Sequence, residues 1–451
     1  MALGGWYSSV RRPPPLQFDR DNIYILDGGF ASTATEFVQD AVKEIDKNPL
    51  WSCGLTHTEP ETVQKVHEEH LKAGARIITT NTYQCSVDLY KENLNLPNPI
   101  LDSAKLFGKS VECADKAINS VFKDCPRLAL VAGSVGPYGA CLGDGSEYTG
   151  NYLDKISKED LSNWHFERIK RLTAAGVDFL AVETIPSVDE ALAILDVVLK
   201  FPDLKCWISF QCKDDSSTAR GEKFDSVINS IFQHKAYPTR ILAVGVNCTN
   251  PENVSPLLKL ANIINKRSAW PEVIDFKPLP YVVYPNSGEN WDELNKAFTG
   301  NAKDDFFLSE IPNWLDLGAN VIGGCCRVGP PMIRKIKDVV LNHLSQNLST
   351  AKRDHSPDLE WSGIERQLRA KTEKKEKTSE KKGQKTKKKV TSPFDFGQIY
   401  AVPGLVPKDV AQKQLQAICE HLEIDYSVMS NEGESDENEL KQETLPGMNL
   451  S

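Results

Sequence analysis

Between Asn22 and Asn342 the chain changes character eight times, from a short apolar, β-rich run to a longer stretch with helical spacing. The runs are Ile23 to Gly28, Ala75 to Thr80, Leu128 to Gly133, Phe179 to Glu183, Cys206 to Phe210, Ile241 to Cys248, Tyr281 to Tyr284 and Asn320 to Cys325. Nearly unbroken apolar runs of this length suit parallel strands covered on both faces, whereas a sheet with one wet face shows alternation. The segments between them carry helix punctuation. Thr58 and Glu61 have capping-box spacing ahead of Glu61 to Ala73, and Gly74 follows; Ser157 and Asp160 precede a stretch that stops at Gly176. Such alternation predicts an α/β fold with helices outside a parallel sheet. Eight repeats predict a (β/α)8 TIM barrel, with a doubly wound open sheet as the competing topology.

The chain has 451 residues, and a barrel of this class takes about 250 or more. The expected division is an N-terminal arm over 1–20, the barrel over 21–345, and a lysine-rich linker with a mostly disordered tail over 346–451. Lys371 to Lys389 holds ten lysines and three glutamates with almost nothing apolar, so it has no surface with which to form a core. Within the tail, 407–422 has Pro407 at a helix start and Val410, Leu415, Ile418 and Leu422 on one stripe. The basic run defines no particular partner. A net charge of -9 and a pI near 5.6 argue against a barrel built for nucleic acid or a membrane surface, and for small-molecule chemistry. No run of 18 apolar residues occurs, and Met1 to Pro15 has no apolar signal region. Eleven cysteines without compact disulfide spacing suit a reducing compartment. The expected location is the cytoplasm.

In a barrel, chemistry sits at the C-terminal ends of strands, and unusual residues fall there repeatedly. Asp27 with Gly28 and Gly29, Thr82 to Gln84, Gly133 to Tyr138, Glu183, Asn247 with Cys248, Asn286 to Glu289, and Cys325 with Cys326 all end apolar runs. Three cysteines at strand ends of one face supply three sulfur ligands for zinc and leave the fourth tetrahedral position open, as in catalytic rather than structural sites. A thiolate-rich site with a vacancy favours a further thiol. The alternative is that Cys248, Cys325 and Cys326 are buried small hydrophobes like other cysteines.

Asp27-Gly28-Gly29, Thr79-Thr80-Asn81-Thr82-Tyr83-Gln84, Gly245-Val246-Asn247-Cys248 and Gly323-Gly324-Cys325-Cys326 resemble the signature of the zinc-dependent homocysteine S-methyltransferase family, over roughly Asp27 to Leu344. The resemblance implies a zinc-dependent barrel enzyme that methylates the homocysteine thiolate to form methionine. It implies Cys248, Cys325 and Cys326 as ligands of one Zn2+, with the homocysteine sulfur in the fourth position. Asp27 and Glu183 would hold the homocysteine ammonium, Trp51 and Ser52 match a substrate-contacting pair, and Asn247 would bond beside the metal. The backbone N–H groups around Gly28 and Gly29 would receive the carboxylate. Gln84 or Tyr83 would fill the open position before substrate arrives. Ala132 to Ala140, Asp144 to Tyr148 and Tyr284 to Glu289 resemble the branch that takes its methyl group from a sulfonium, S-methylmethionine or S-adenosylmethionine. Betaine is the alternative donor. The alternative to an enzyme is a zinc-holding scaffold whose tail recruits a partner.

Overall fold

The computed structural model describes residues 18, 22–38, 45, 48–123, 128–265, 278–292 and 297–351. Its centre is eight parallel strands: β1 (Tyr24–Ile25), β2 (Ile77–Thr79), β3 (Leu130–Val135), β4 (Phe179–Ile185), β5 (Cys206–Phe210), β6 (Ile241–Asn247), β7 (Tyr281–Tyr284) and β8 (Ala319–Ile322). Each neighbours the next in chain order, and β8 pairs with β1 through Tyr24–Val321 and Ile25–Ile322. Leu26 bridges Ile77 in parallel. Arg76 N–H donates to Ile25 O (2.7 Å) and Asp27 N–H to Ile77 O (3.0 Å). The sheet therefore closes on itself, and the fold is the TIM barrel rather than the open sheet.

All eight apolar runs contain a strand. β1 and β8 are shorter than their runs because the chain leaves the ladder at Asp27 and Gly323 to build the mouth. Eight helices follow the strands: α1 (Pro60–Ala73), α2 (Pro99–Phe122), α3 (Lys158–Ala175), α4 (Val188–Val198), α5 (Phe224–Gln233), α6 (Pro251–Asn265), α7 (Asp304–Asp316) and α8 (Pro330–Ala351). Ser157 caps α3 by accepting from Asp160 N–H, and Gly176 ends it in the left-handed conformation. The expected Thr58–Glu61 box does not form. Glu59 is the cap residue and Pro60 opens α1; proline has no N–H to satisfy at that position and its fixed φ already suits a helix.

Alternate side chains on each strand enter different cores. Ile78, Leu180, Ile208, Val244 and Ile322 face the helices, whereas Leu26, Ile77, Ala132, Phe179, Trp207 and Val321 fill the barrel. Phe18 joins the inner set. It is 4% exposed, with its ring 5.1 Å from Tyr24, 5.6 Å from Phe179 and 6.3 Å from Trp207. These partners lie at the beginnings of their strands, so Phe18 fills the barrel floor, and the core begins before residue 21. The rest of the arm and residues 352–451, which hold the expected linker, the 407–422 helix and the acidic tail, lie outside the described residues. α8 continues past the expected boundary at 345. Among the described residues no helix is long and apolar enough to cross a membrane.

Candidate metal centre and substrate site

Cys248 follows the last residue of β6, and Cys325 and Cys326 lie three and four residues past β8. The three sulfurs fall within 4.8 Å of one another. Cys326 Sγ is 3.7 Å from Cys248 Sγ and 4.0 Å from Cys325 Sγ. Tetrahedral ligation with Zn–S near 2.3 Å sets sulfurs about 3.8 Å apart, so these two spacings suit one cation. Cys248 and Cys325 are joined as a disulfide, with Cα atoms 5.5 Å apart. Pairing and ligation are alternative states of the same two sulfurs, since metal takes the reduced thiolate. The donor set, three cysteines converging from two strands at a strand-end face, fits zinc.

The backbone holds the sulfurs there at some conformational cost. Cys248 has φ 48°, a left-handed conformation unfavourable to a residue with Cβ. Its N–H donates to Tyr284 O at 3.3 Å. Cys325 N–H donates to Pro285 O (2.8 Å), Ser287 N–H to Cys326 O (3.2 Å) and Gly324 N–H to Asp27 O (3.1 Å). The ligand loop is thus clamped between the ends of β7 and β1. A Cβ on Gly324 would strike the Val328 side chain, which is why the tight turn back from β8 takes glycine there. Glu289, the last residue of the Asn286 to Glu289 motif, accepts from Arg327 Nε at 2.5 Å and from Ser287 Oγ at 2.7 Å. That motif braces the ligand loop from outside.

Below the sulfurs lies a polar layer. Asn247 is fully buried; its Oδ1 accepts from Thr184 N–H and Ser209 Oγ, each at 2.7 Å. Its Nδ2 donates to Thr184 Oγ1 at 2.8 Å and points at Cys325 Sγ, 3.9 Å away. An N–H aimed at sulfur favours the thiolate and fixes the ligand. Ser209 Oγ and Tyr284 Oη are 2.6 Å apart, and Trp207 Nε1 donates to Tyr284 Oη at 3.1 Å. Ser209 and Tyr284 were not among the expected site residues. A lone serine inside the apolar run Cys206 to Phe210 was the available signal.

Two carboxylates share this layer. Asp27 Oδ2 accepts from Thr79 N–H at 2.7 Å and Thr79 Oγ1 at 3.1 Å. Burial pushes its carboxyl well above the usual range; the Thr79 bond opposes this, and the charge of Glu183 pushes further up. Glu183 accepts from Ser134 Oγ. Burial raises its pKa from 4.5 to about 7, against hydrogen bonds from Ser134 and Tyr284 that favour the charged form. Burial thus disfavours ionisation of both carboxyls, and the charge of Glu183 disfavours it further at Asp27.

The glycines beside Asp27 have a packing role. Gly29 N–H donates to Val328 O at 2.9 Å, and a Cβ on Gly28 would collide with the same carbonyl. Trp51 opens a short 3-10 turn, Trp51–Gly54, with φ 44°, and its ring meets Tyr83 edge-on at 6.1 Å. Ser52 is buried, and its carbonyl accepts from Asn81 Nδ2 at 3.1 Å. Gln84 turns its Nε2 to Pro49 O (3.1 Å), joining the two loops instead of reaching the sulfurs. Arg168, buried in α3, donates to the carbonyls of Gly136 (2.8 Å), Thr82 (3.2 Å) and Tyr83 (2.5 Å). Helical spacing alone gave no reason to turn this arginine inward. The loop after β3 is anchored by Glu190, which accepts from Tyr138 N–H (2.7 Å), Tyr152 Oη and His165 Nε2 (2.9 Å).

A closed barrel whose mouth gathers three cysteine sulfurs beside two buried carboxyls places a candidate metal centre at the face where barrels of this class carry their chemistry. The family model described as "Homocysteine S-methyltransferase" matches residues 24–340. The Betaine-homocysteine S-methyltransferase of Drosophila melanogaster is 39% identical over 332 residues, covering 72% of this chain and 96% of its own. Two crystal structures of the homocysteine methyltransferase MmuM from Escherichia coli, each 32% identical, superpose on the barrel. The oxidised form covers 72% of this chain and 99% of its own with a TM-score of 0.59, and the metallated form covers 70% and 96% with 0.57. The chain belongs to the homocysteine S-methyltransferase family.

Proposed function

We propose that the protein transfers a methyl group from a sulfonium donor, S-methylmethionine or S-adenosylmethionine, to homocysteine, forming methionine. The observation that carries this reading is the convergence of three cysteine sulfurs on the strand-end face that also holds the buried Asp27 and Glu183. Zinc, when bound by Cys248, Cys325 and Cys326, lowers the pKa of an incoming thiol in its fourth position and presents it as thiolate. Asp27 and Glu183 hold the homocysteine ammonium, and Asn247 keeps Cys325 oriented. Trp51 and Ser52 wall the substrate, while Gly28 and Gly29 let the Asp27 turn lie against the ligand loop.

The homocysteine sulfur attacks the methyl carbon in line. A new S–CH3 bond forms as the donor's S–CH3 bond breaks, and the leaving thioether keeps the electron pair. The thioether leaves neutral, so the residues need only align the reacting atoms at about 3 to 3.5 Å and exclude water. Charge is cancelled as the reaction proceeds, which a dry site favours. The similarity of segments Ala132 to Ala140, Asp144 to Tyr148 and Tyr284 to Glu289 to the sulfonium-using branch supports this donor class, whereas the Drosophila relative is named for betaine. Donor-resolved assays on protein of measured zinc content test the reading. Methionine is expected from S-methylmethionine or S-adenosylmethionine; formation from betaine alone would overturn it.

A further inference from the structure

Beyond Ser209, the end of β5 contributes nothing to the site described so far. Along β5, Cys206, Ile208 and Phe210 face the helices, while Trp207 and Ser209 face the barrel interior. Alternation turns the next residue, Gln211, inward, and Cys212 after it returns to the outer core. Phe210 pairs with Val246, so one step further along both strands sets Gln211 beside Asn247, which precedes Cys248. Gln211 is 8% exposed. Its backbone is fixed, with its N–H donating to Ile185 O (3.1 Å) and its carbonyl accepting from Ala219 N–H (2.9 Å).

The amide is held in one orientation. Nε2 donates to Cys212 O at 3.2 Å; the flipped amide would press two oxygens together. Oε1 is then turned away from that carbonyl, is buried, and has no hydrogen-bond partner among the described residues. Buried acceptors nearly always have a donor, and an exception needs an explanation. A ligand N–H at the mouth supplies one. β5 stands across the barrel from β1. A homocysteine held by Asp27, Glu183 and the sulfurs therefore leaves Gln211 to the second substrate.

We propose that Gln211 determines donor specificity: its Oε1 accepts an N–H from the α-ammonium group of an amino-acid sulfonium. Betaine, whose nitrogen is fully methylated, has no N–H to give. The assignment rests on the sulfonium reading above and adds which part of the donor is read. A site built to bond an N–H discriminates strongly against an analogue that lacks it, because the buried acceptor stays unpaired.

Steady-state kinetics of the full zinc-loaded chain test this, with S-methylmethionine, dimethylsulfoniopropionate and betaine as donors. Dimethylsulfoniopropionate keeps the sulfonium and carboxylate but has no amino group. The wild type should favour S-methylmethionine over it by about a hundredfold in kcat/KM. Gln211→Met should erase most of that preference by raising the KM for S-methylmethionine, with the homocysteine KM and the zinc content unchanged. A preference that survives in Gln211→Met, or a rise in homocysteine KM instead, overturns the assignment. If Gln211→Met does not fold, a wild type indifferent to the amino group overturns it equally. S-methylmethionine turnover with an unaffected variant sinks only the role of Gln211. Turnover with betaine alone removes the sulfonium reading as well.

Discussion

The two ends of the barrel interior are built from alternate positions of the same strands, and they are chemically opposite. At the floor, Phe18, Tyr24, Phe179 and Trp207 pack ring against ring. Nearer the mouth, Ser134, Glu183, Ser209, Asn247 and Tyr284 fill the same cylinder with hydrogen bonds. The Trp207 Nε1 to Tyr284 Oη bond joins the halves. The floor can be dry because nothing needs to enter. The polar layer keeps two buried carboxyls whose ionisation burial disfavours.

This contrast makes the two ends separable by substitution. The largest effect on activity is expected at the sulfurs. Cys326→Ala should lose zinc and at least about a thousandfold in turnover while its circular dichroism stays that of the folded barrel. One equivalent of zinc retained in that variant would break the ligand assignment.

A smaller effect is expected from pH. The ordinary Glu183 pKa of 4.5 rises to about 7 in the fold, so between those values the folded state holds a proton that the unfolded state has released. This group's contribution to stability is complete below 4.5 and is lost as pH rises through 7. Ammonium binding runs the other way, because it needs the ionised form. The homocysteine KM should fall as pH rises through about 7, and Glu183→Gln should flatten that limb. An identical slope in the variant would show that some other group sets it.

The smallest effect on catalysis is expected at the floor. Phe18→Ala should cost about 3–5 kcal/mol of stability, read by denaturant unfolding, with both KM values within about twofold of wild type. A large change in KM would mean that the floor and mouth are coupled through Trp207 and Tyr284.

Eight strands, their order and the three cysteines were legible in the sequence because burial on both faces and soft ligands at strand ends leave strong local signals. What was not legible depends on register and on direction. Whether Ser209 faces Asn247 or a helix is decided by one residue of stagger, and Gln211 follows the same rule. Arg168 lies on a helix whose polar residues mostly meet water, and only the assembled loops show three carbonyls for it. Phe18 follows a proline-rich stretch with no periodicity, so nothing local marks it as core. Gly29 was expected to offer its N–H to a ligand, but Val328 takes it.

The sulfurs also carry a consequence for the order of events in the life of the chain. One arrives on β6 and two beyond β8, the strand that seals the cylinder against β1. During synthesis the ligand set is incomplete until that last strand has emerged, so the full three-sulfur site forms only when β8 docks. A cation held by Cys248 after β6 and by Cys325 and Cys326 after β8 would tie the last strand back across β7, so pulling β8 out of the barrel would require releasing the ion. Loss of metal should therefore be felt first in how fast the closed barrel opens, and only afterwards in how well it folds.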